Sequence, residues 1–208
     1  MTEFAMHVHV LPIGPLETNC YLLEEDGEAV VVDPGGNPYA LLRHLEEHEL
    51  TLTRILVTHM HFDHILGNAD LAKATGARIY ANKRDEPLLV VASGTRFGLQ
   101  PTSPFAYDNL EEGTLTLLKQ PCKVIAVPGH SPGSLAYYFP KISAIFVGDV
   151  LFYRSIGRTD LPCGDADVLG ESIQKKIYAL PGDTVVYPGH GPATTVGEEM
   201  RENPFFRG

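Results

Sequence analysis

The sequence predicts an α/β fold whose functional side chains gather at the ends of strands. Short apolar, β-branched runs alternate with amphipathic stretches of helical periodicity, for example 29–32 followed by 38–49. Several apolar runs lead directly into turns that carry histidine or aspartate. Loops at strand ends are where an α/β scaffold usually brings together side chains that are distant in sequence.

Residues 55–64 carry the densest functional pattern, because an apolar run delivers three histidines and an aspartate within six positions. His59 and His61 are two apart, so an extended backbone directs both imidazoles the same way. Asp63 and His64 follow at a predicted helix start, where adjacent side chains diverge by about 100°. Imidazole and carboxylate are ordinary ligands of zinc and iron. We therefore predict two metal ions, one facing His59 and His61 and the other facing Asp63 and His64.

Three later strands end in the same way. His130 follows the predicted strand 123–127, Asp149 follows 144–147 and His190 follows 184–187. Glycines beside all three allow tight turns at these points. Each residue alone could be structural, but together with residues 59–64 they indicate one site.

This set of residues resembles the HxHxDH signature and the motif order of the metallo-β-lactamase superfamily. The resemblance implies an αββα sandwich, two mixed β-sheets with helices on the outer faces. It also implies the ligand sets: His59, His61 and His130 for one metal, Asp63, His64 and His190 for the second, and Asp149 as the bridge. Zinc is the first expectation for both ions, with iron or manganese as alternatives.

Asp33 ends the apolar run 29–32 and precedes Pro34, Gly35 and Gly36. It could cap a turn, or it could orient a metal-bound histidine. The superfamily has an aspartate at this point in its motif order, which favours the second interpretation.

Within the superfamily the chain resembles the short bacterial form of glyoxalase II, hydroxyacylglutathione hydrolase. The stretches that carry this resemblance are 148–152, 155–160, 189–195 and 203–205. The implied reaction is hydrolysis of S-lactoylglutathione or a similar hydroxyacyl thioester by a metal-bridging hydroxide, held with Asp63 and Asp149. A thiolate has a pKa near 8.5, so it leaves without a general acid, and none is evident.

Arg158 lies where that family has a basic residue in contact with the substrate. We expect it to bind a substrate carboxylate, and the alternative is an ordinary surface arginine. Residues 157–160 also resemble persulfide dioxygenases of the same fold, in which His59, His130 and Asp149 would hold a single iron. The sequence after His190 looks more like the short hydrolases. A metal-binding module without turnover is a third possibility, and the complete ligand set argues against it.

The composition bounds the partners and the compartment. A length of 208 residues suits one domain, 1–208, and we expect no C-terminal helical glutathione-binding domain. The net charge of −10 disfavours nucleic acid, whose binding depends on lysine and arginine. Three widely spaced cysteines indicate reduced thiols. With no leader and no apolar run of about 20 residues, a cytoplasmic enzyme of a small thioester is expected, with no membrane contact.

The remaining histidines are expected to be structural or solvent-exposed. His7 and His9 share the polar face of the predicted strand 7–11. His44 and His48 are four apart in the predicted helix 38–49 and could clamp a metal, but no third ligand is near in sequence. Residues 93–110 are rich in Gly, Pro, Ser and Asn and predict a loop or a lid over the site. The other predicted elements are strands 20–24, 78–81, 115–118 and 135–139 and helices 83–92, 166–179 and 196–203.

Overall fold

Two six-stranded sheets pack face to face, and helices cover their outer faces. This is a computed structural model, and it describes residues 6–91, 94–99 and 101–208. The predicted αββα sandwich with two mixed sheets is confirmed. Among the described residues, no helix has the length and apolar character that a bilayer crossing requires.

The first sheet has the strand order β1-β2-β3-β4-β5-β6. Its strands are β1 (His7–Ile13), β2 (Thr18–Glu25), β3 (Glu28–Val32), β4 (Thr51–Leu56), β5 (Arg78–Ala81) and β6 (Asp108–Asn109). Strands β1 to β3 are antiparallel, whereas β3 to β6 are parallel. The parallel strands bring the carboxyl ends of β3 and β4 to the same edge.

The second sheet has the order β14-β13-β10-β9-β8-β7, and a separate hairpin pairs β11 with β12. The strands are β7 (Gly113–Leu117), β8 (Gln120–Ala126), β9 (Leu135–Phe139), β10 (Ala144–Gly148), β11 (Leu151–Phe152), β12 (Ser155–Ile156), β13 (Val185–Pro188) and β14 (Thr194–Thr195). Strands β10 and β13 are parallel, so Asp149 and His190, which follow them, emerge at one edge.

The described residues include six α-helices, five between strands and one after the last strand. They are α1 (Tyr39–Glu47), α2 (Phe62–Ile65), α3 (Asn68–Thr75), α4 (Leu88–Val91), α5 (Ala166–Ser172) and α6 (Val196–Glu202). Helix α5 continues as a π-helical turn, Ile173–Ile177, so the single helix predicted over 166–179 has two parts.

Alternation along the strands divides the core into three layers. In β2, Tyr21 and Leu23 face the second sheet, while Leu22 faces the helices of the first sheet. In β10, Phe146 lies between the sheets, while Ile145 packs towards α5. Strands β2 and β10 are therefore covered on both faces, which explains why they are apolar on both faces.

Two expectations for residues 83–110 need correction. The helix predicted over 83–92 is a 3₁₀ turn, Lys83–Asp85, followed by α4, because Pro87 lacks an N–H and disfavours helical geometry in the residue before it; residue 92 lies outside the described residues. The loop predicted over 93–110 contains the 3₁₀ turn Gly94–Phe97 and strand β6. Its residues 93 and 100 are not described. Of the rest, 104–108 border a crevice beside α3 and β5, and none lines the cavity at the candidate site.

Candidate metal centre

The predicted ligands of residues 59–64 occupy the turn that joins β4 to α2. The backbone of His61 is still extended at the residue before α2, whereas Asp63 and His64 lie in the first turn of the helix. This change from strand to helix separates the two pairs of side chains, as the spacing predicts. Side chains from the loops after β8, β10 and β13 meet them at the same edge of the two sheets.

His59, His61 and His130 form the first group. His130 Nε2 lies 2.9 Å from His61 Nδ1 and 3.2 Å from His59 Nε2. All three rings are buried. The structure therefore brings together the three imidazoles that the sequence assigns to the first metal.

Asp63, His64 and His190 form the second group. Asp63 Oδ2 lies 3.2 Å from His190 Nε2 and 3.6 Å from His64 Nε2. His64 is fully buried, while the His190 side chain is 30% exposed. This group consequently forms the side of the centre that is open to solvent.

Asp149 lies between the two groups. Its Oδ1 is 3.4 Å from His64 Nε2, and its Oδ2 is 3.7 Å from both His130 Nε2 and His190 Nε2. One carboxylate thus contacts histidines of both groups, as the prediction of a bridging ligand requires.

The unpaired atoms of the centre suit divalent cations. His61 Nε2, His64 Nε2 and Asp149 Oδ1 are shielded from solvent and form no hydrogen bond with the described residues. A neutral imidazole has one donor and one acceptor nitrogen, so three ring nitrogens that face one point cannot all pair with each other. A cation at the second group would satisfy His64 Nε2 and Asp149 Oδ1. A cation at the first group would bind the three nitrogens that face each other there, His59 Nε2, His61 Nδ1 and His130 Nε2. The residues therefore fit the metal site that the sequence predicts.

The charges of the centre are strongly coupled. Burial lowers the pKa of His61 to about 3, and repulsion from the neighbouring His130 and His64 rings acts in the same direction. Burial also acts against a charge on His64, but Asp149, Asp63 and Asp33 outweigh it and raise the pKa of His64 well above its ordinary value. The carboxylates consequently require positive charge at this point, which a bound cation would supply.

Asp33 holds the second coordination layer together from a left-handed turn after β3. Its Oδ2 accepts a hydrogen bond from His64 Nδ1 at 2.8 Å and one from the Thr58 hydroxyl at 2.5 Å. Its Oδ1 accepts from the Thr58 backbone N–H. This is the contact expected of a carboxylate that orients a metal-binding histidine. The role of His64 as a metal ligand stays a prediction.

A matching profile connects this geometry with known proteins. Residues 13–190 match the profile of the metallo-beta-lactamase superfamily. The chain belongs to this superfamily.

Relatives from Bacillus subtilis and Haemophilus influenzae align along almost the whole length. The probable metallo-hydrolase YqgX of Bacillus subtilis is 38% identical over 95% of this chain and 96% of its own. The hydroxyacylglutathione hydrolase GloC of Haemophilus influenzae is 36% identical over 97% of this chain and 98% of its own.

Three solved structures share the fold of this chain. BLEG-1 B3 metallo-beta-lactamase superposes with a TM-score of 0.91 at 41% identity, covering 97% of this chain and 100% of its own. TTHA1623 in a di-iron-bound form gives 0.87 at 41% identity, covering 95% and 100%. ETHE1 from Myxococcus xanthus gives 0.77 at 29% identity, covering 96% and 84%.

A cavity of about 1170 Å³ opens onto the centre of this superfamily member. Its floor carries predicted ligands from both groups. The rest of its lining is mainly apolar, with Leu16, Phe62, Phe152, Ile156, Leu161 and Pro162. The cavity is large enough for a small-molecule substrate.

Arg158 lines this cavity with its side chain 61% exposed. Its guanidinium donates two hydrogen bonds of 2.7 Å to the two oxygens of Asp160. Its backbone carbonyl accepts from His130 Nδ1 at 2.8 Å. The backbone of Arg158 therefore fixes the ring of a predicted metal ligand, which the sequence did not indicate, and substrate binding by its side chain stays a prediction.

The side chains that hold the loops of the predicted ligands in place were not predicted from the sequence. Asp85 is fully buried, and its carboxylate accepts from Met60 N–H at 3.1 Å, Ser131 Oγ at 2.8 Å and Gly133 N–H at 2.6 Å. It thus joins the turn after β4 to the loop after β8. An aspartate far from both loops in sequence carries no local signal of this role.

Strand β2 supports the loop that carries His190. The Asn19 side chain donates to the carbonyls of Pro188 and Gly191 at 3.0 and 2.8 Å, and the Tyr21 hydroxyl donates to Pro188 at 2.6 Å. Gly189 has no room for a side chain, since a Cβ there would lie 2.1 Å from Asp149 Oδ1. Glycine at this position therefore allows the loop to approach the centre.

Proposed function

We propose that the protein is a metal-dependent hydrolase that cleaves a small hydroxyacyl thioester, with S-lactoylglutathione as the first candidate. The observation that carries the proposal is the assembly of both ligand groups around Asp149, at the floor of one cavity. The 36% identity with a relative named hydroxyacylglutathione hydrolase supports the substrate class. The family and the metal-binding residue types support hydrolysis in general.

In this proposal, different residues of the chain would bind the two metal ions and orient their ligands. When bound, two divalent cations, of which zinc is the first candidate and iron or manganese are alternatives, would polarise a substrate carbonyl and lower the pKa of water towards 7. His59, His61 and His130 would hold one cation and Asp63, His64 and His190 the other. Asp149 would bind both and keep them at a fixed separation, while Asp33 keeps His64 in the required tautomer.

The residues that line the cavity favour a substrate whose leaving group departs without a proton donor. Apart from the predicted ligands, its titratable side chains are Arg158 and Asp160 among the described residues, and these two are paired with each other. The Arg158 guanidinium lowers the pKa of Asp160, so this carboxyl is ionised and is a poor proton donor. A thiolate can leave without a general acid, whereas an alkoxide needs one.

The test compares matched substrates on the metal-replete protein. We expect S-lactoylglutathione to be hydrolysed much faster than the oxygen ester with the same acyl group. Asp149→Asn should lose most of this activity, while Asp70→Asn, an exposed residue of α3, serves as the matched control. Equal rates on the thioester and the oxygen ester would contradict the proposal.

A mono-iron persulfide dioxygenase is the alternative. The structure also brings His130 Nε2 within 3.7 Å of Asp149 Oδ2 and within 3.2 Å of His59 Nε2, so a facial triad is available. Oxygen consumption with glutathione persulfide, together with one iron per chain, would favour this reaction. The second ligand group has no role in it, which is why we rank it below hydrolysis.

The proposed setting follows from charge and thiols. A net charge of −10 fits a small substrate and not nucleic acid. Cys20, Cys122 and Cys163 are free, and the first two are buried. We place the enzyme in a reducing compartment, the cytoplasm. Unchanged activity after prolonged incubation with a thiol reductant is the expected result.

A further inference from the structure

A second cluster of metal-binding side chains lies on the outer face of the first sheet. It consists of His9 from β1, Glu24 from β2 and His44 from α1. Thr18, at the other end of β2, contacts Asp63 of the metal centre. Since a strand rises about 3.4 Å per residue, Glu24 lies about 20 Å from that contact. The cluster is thus separate from the centre described above.

The three side chains converge on the Glu24 carboxylate. His44 Nε2 lies 2.9 Å from Oε2, and His9 Nε2 lies 3.2 Å from Oε1. One nitrogen or oxygen of each residue lies within 4.8 Å of the others. The His9 and His44 ring centroids are 4.7 Å apart. All three residues are partly buried, so they are held by their surroundings and remain accessible to an ion.

These donors and distances match a known class of metal site. Zinc binds His nitrogen and carboxylate oxygen at about 2.0–2.2 Å in tetrahedral geometry, and two histidines with one glutamate form a common three-ligand set that leaves one position for water. Donor atoms about 3–5 Å apart can close around such an ion with small side-chain rotations. His48 stacks on His44 and its Nδ1 bonds the His44 carbonyl at 3.0 Å, but its ring is not among the three donors that converge.

The cluster corrects the sequence-based expectation for His44. That expectation, a solvent-exposed helix face, rested on the lack of a third ligand nearby in sequence. The structure supplies the missing donors from two strands, Glu24 and His9, at separations of 20 and 35 residues. Residues so distant in sequence meet only through the tertiary fold.

We propose that His9, Glu24 and His44 bind a further divalent cation, with zinc as the expected ion, which fastens α1 to the edge strand β1. Among the described residues, strand β1 pairs only with β2. Pro38 offers no side-chain cap to α1, and the first N–H of the helix, that of Tyr39, donates to Asn37 Oδ1. Both elements therefore depend on tertiary contacts. A cation that links them to β2 joins three elements at the edge of the sheet.

The test is a titration of the protein whose catalytic centre is already fully loaded. Zn²⁺ is added while isothermal calorimetry records binding to wild type, His44→Gln, Glu24→Gln and His7→Gln. His7 is exposed on the same strand and outside the cluster, so His7→Gln is the matched control. We expect one additional ion per chain in wild type and in the control, and at least tenfold weaker binding in the other two variants.

Thermal unfolding gives a second readout that does not depend on activity. Zn²⁺ should raise the Tm of wild type and of His7→Gln, because an ion that binds only the folded state stabilises it. The increase should be smaller in His44→Gln and Glu24→Gln. The proposal is overturned if wild type takes up no additional ion, or if both cluster variants bind Zn²⁺ as tightly as wild type does.

Discussion

At the residue scale, the centre depends on which nitrogen of each histidine carries the proton. Thr58 donates its hydroxyl hydrogen to Asp33 and faces His59 Nδ1 at 3.1 Å, so this ring nitrogen is the donor to Thr58. The carbonyl of Arg158 imposes the same tautomer on His130. In each ring Nε2 is then left with a lone pair for a metal.

Replacement of Thr58 tests this network. Thr58→Val removes the hydroxyl that links Asp33 to His59 at nearly constant volume. We expect metal affinity to fall about 10- to 100-fold, the usual effect of losing such a partner. Thr58→Ser keeps the hydroxyl and should retain affinity near that of wild type. Competition with a chelator of known affinity measures both, and equal losses in the two variants would point to the lost methyl group instead.

The Arg158–Asp160 pair makes a second prediction. The Arg158 guanidinium is bonded to Asp160. To bind a substrate carboxylate, it must either give up this contact or make both contacts at once. Arg158→Ala removes a charge-assisted hydrogen bond to the substrate carboxylate, so it should lower kcat/KM for a glutathione thioester about ten- to a hundredfold. Asp160→Asn should raise it, because the guanidinium is freed.

A thioester without a carboxylate is the control substrate. Neither substitution should alter its kcat/KM greatly if Arg158 acts as a substrate anchor. An equal loss on both thioesters in Arg158→Ala would mean that the residue acts on the centre through the loop that carries it, since its carbonyl holds His130.

At the scale of elements, the site is a set of strand-end loops tied to one another. Periodicity and ligand spacing predicted which strands carry the ligands, because these signals are local. The ties between loops could not be predicted, because Asp85 meets Met60 and Gly133 only after both sheets have formed. The break in the helix predicted over 83–92 could have been foreseen from Pro87, and it leaves Asp85 at the end of the short 3₁₀ turn.

Asp85→Ala tests the tie between the loops after β4 and β8. The substitution leaves two buried N–H groups and the Ser131 hydroxyl without this acceptor, at about 1–3 kcal/mol for each unsatisfied group. We expect the free energy of unfolding to fall by roughly 3 kcal/mol or more. Urea denaturation of the metal-replete protein measures it, with the exposed Asp70→Ala as control. A loss no larger than that of the control would contradict the role given to Asp85.

At the scale of the whole molecule, the sandwich places two pairs of parallel strand ends side by side. The two mixed sheets with outer helices were predicted from the resemblance of the motif order to the metallo-β-lactamase superfamily, and the apolar runs predicted only an α/β fold. The exact bounds of the elements and the contacts between the sheets could not be predicted, since burial on both faces removes the polar pattern that marks an exposed side. The cluster of His9, Glu24 and His44 belongs to the same class of long-range contact.

Metal stoichiometry tests the central claim, that two ligand groups share Asp149. The measurement is the metal content of purified, replete protein by mass spectrometry. It is made in a His44→Gln background, so that the outer cluster does not contribute. The account predicts close to two ions per chain, loss of both in Asp149→Ala and loss of mainly one in His190→Ala. A single ion per replete chain, with His190→Ala unchanged, would contradict it.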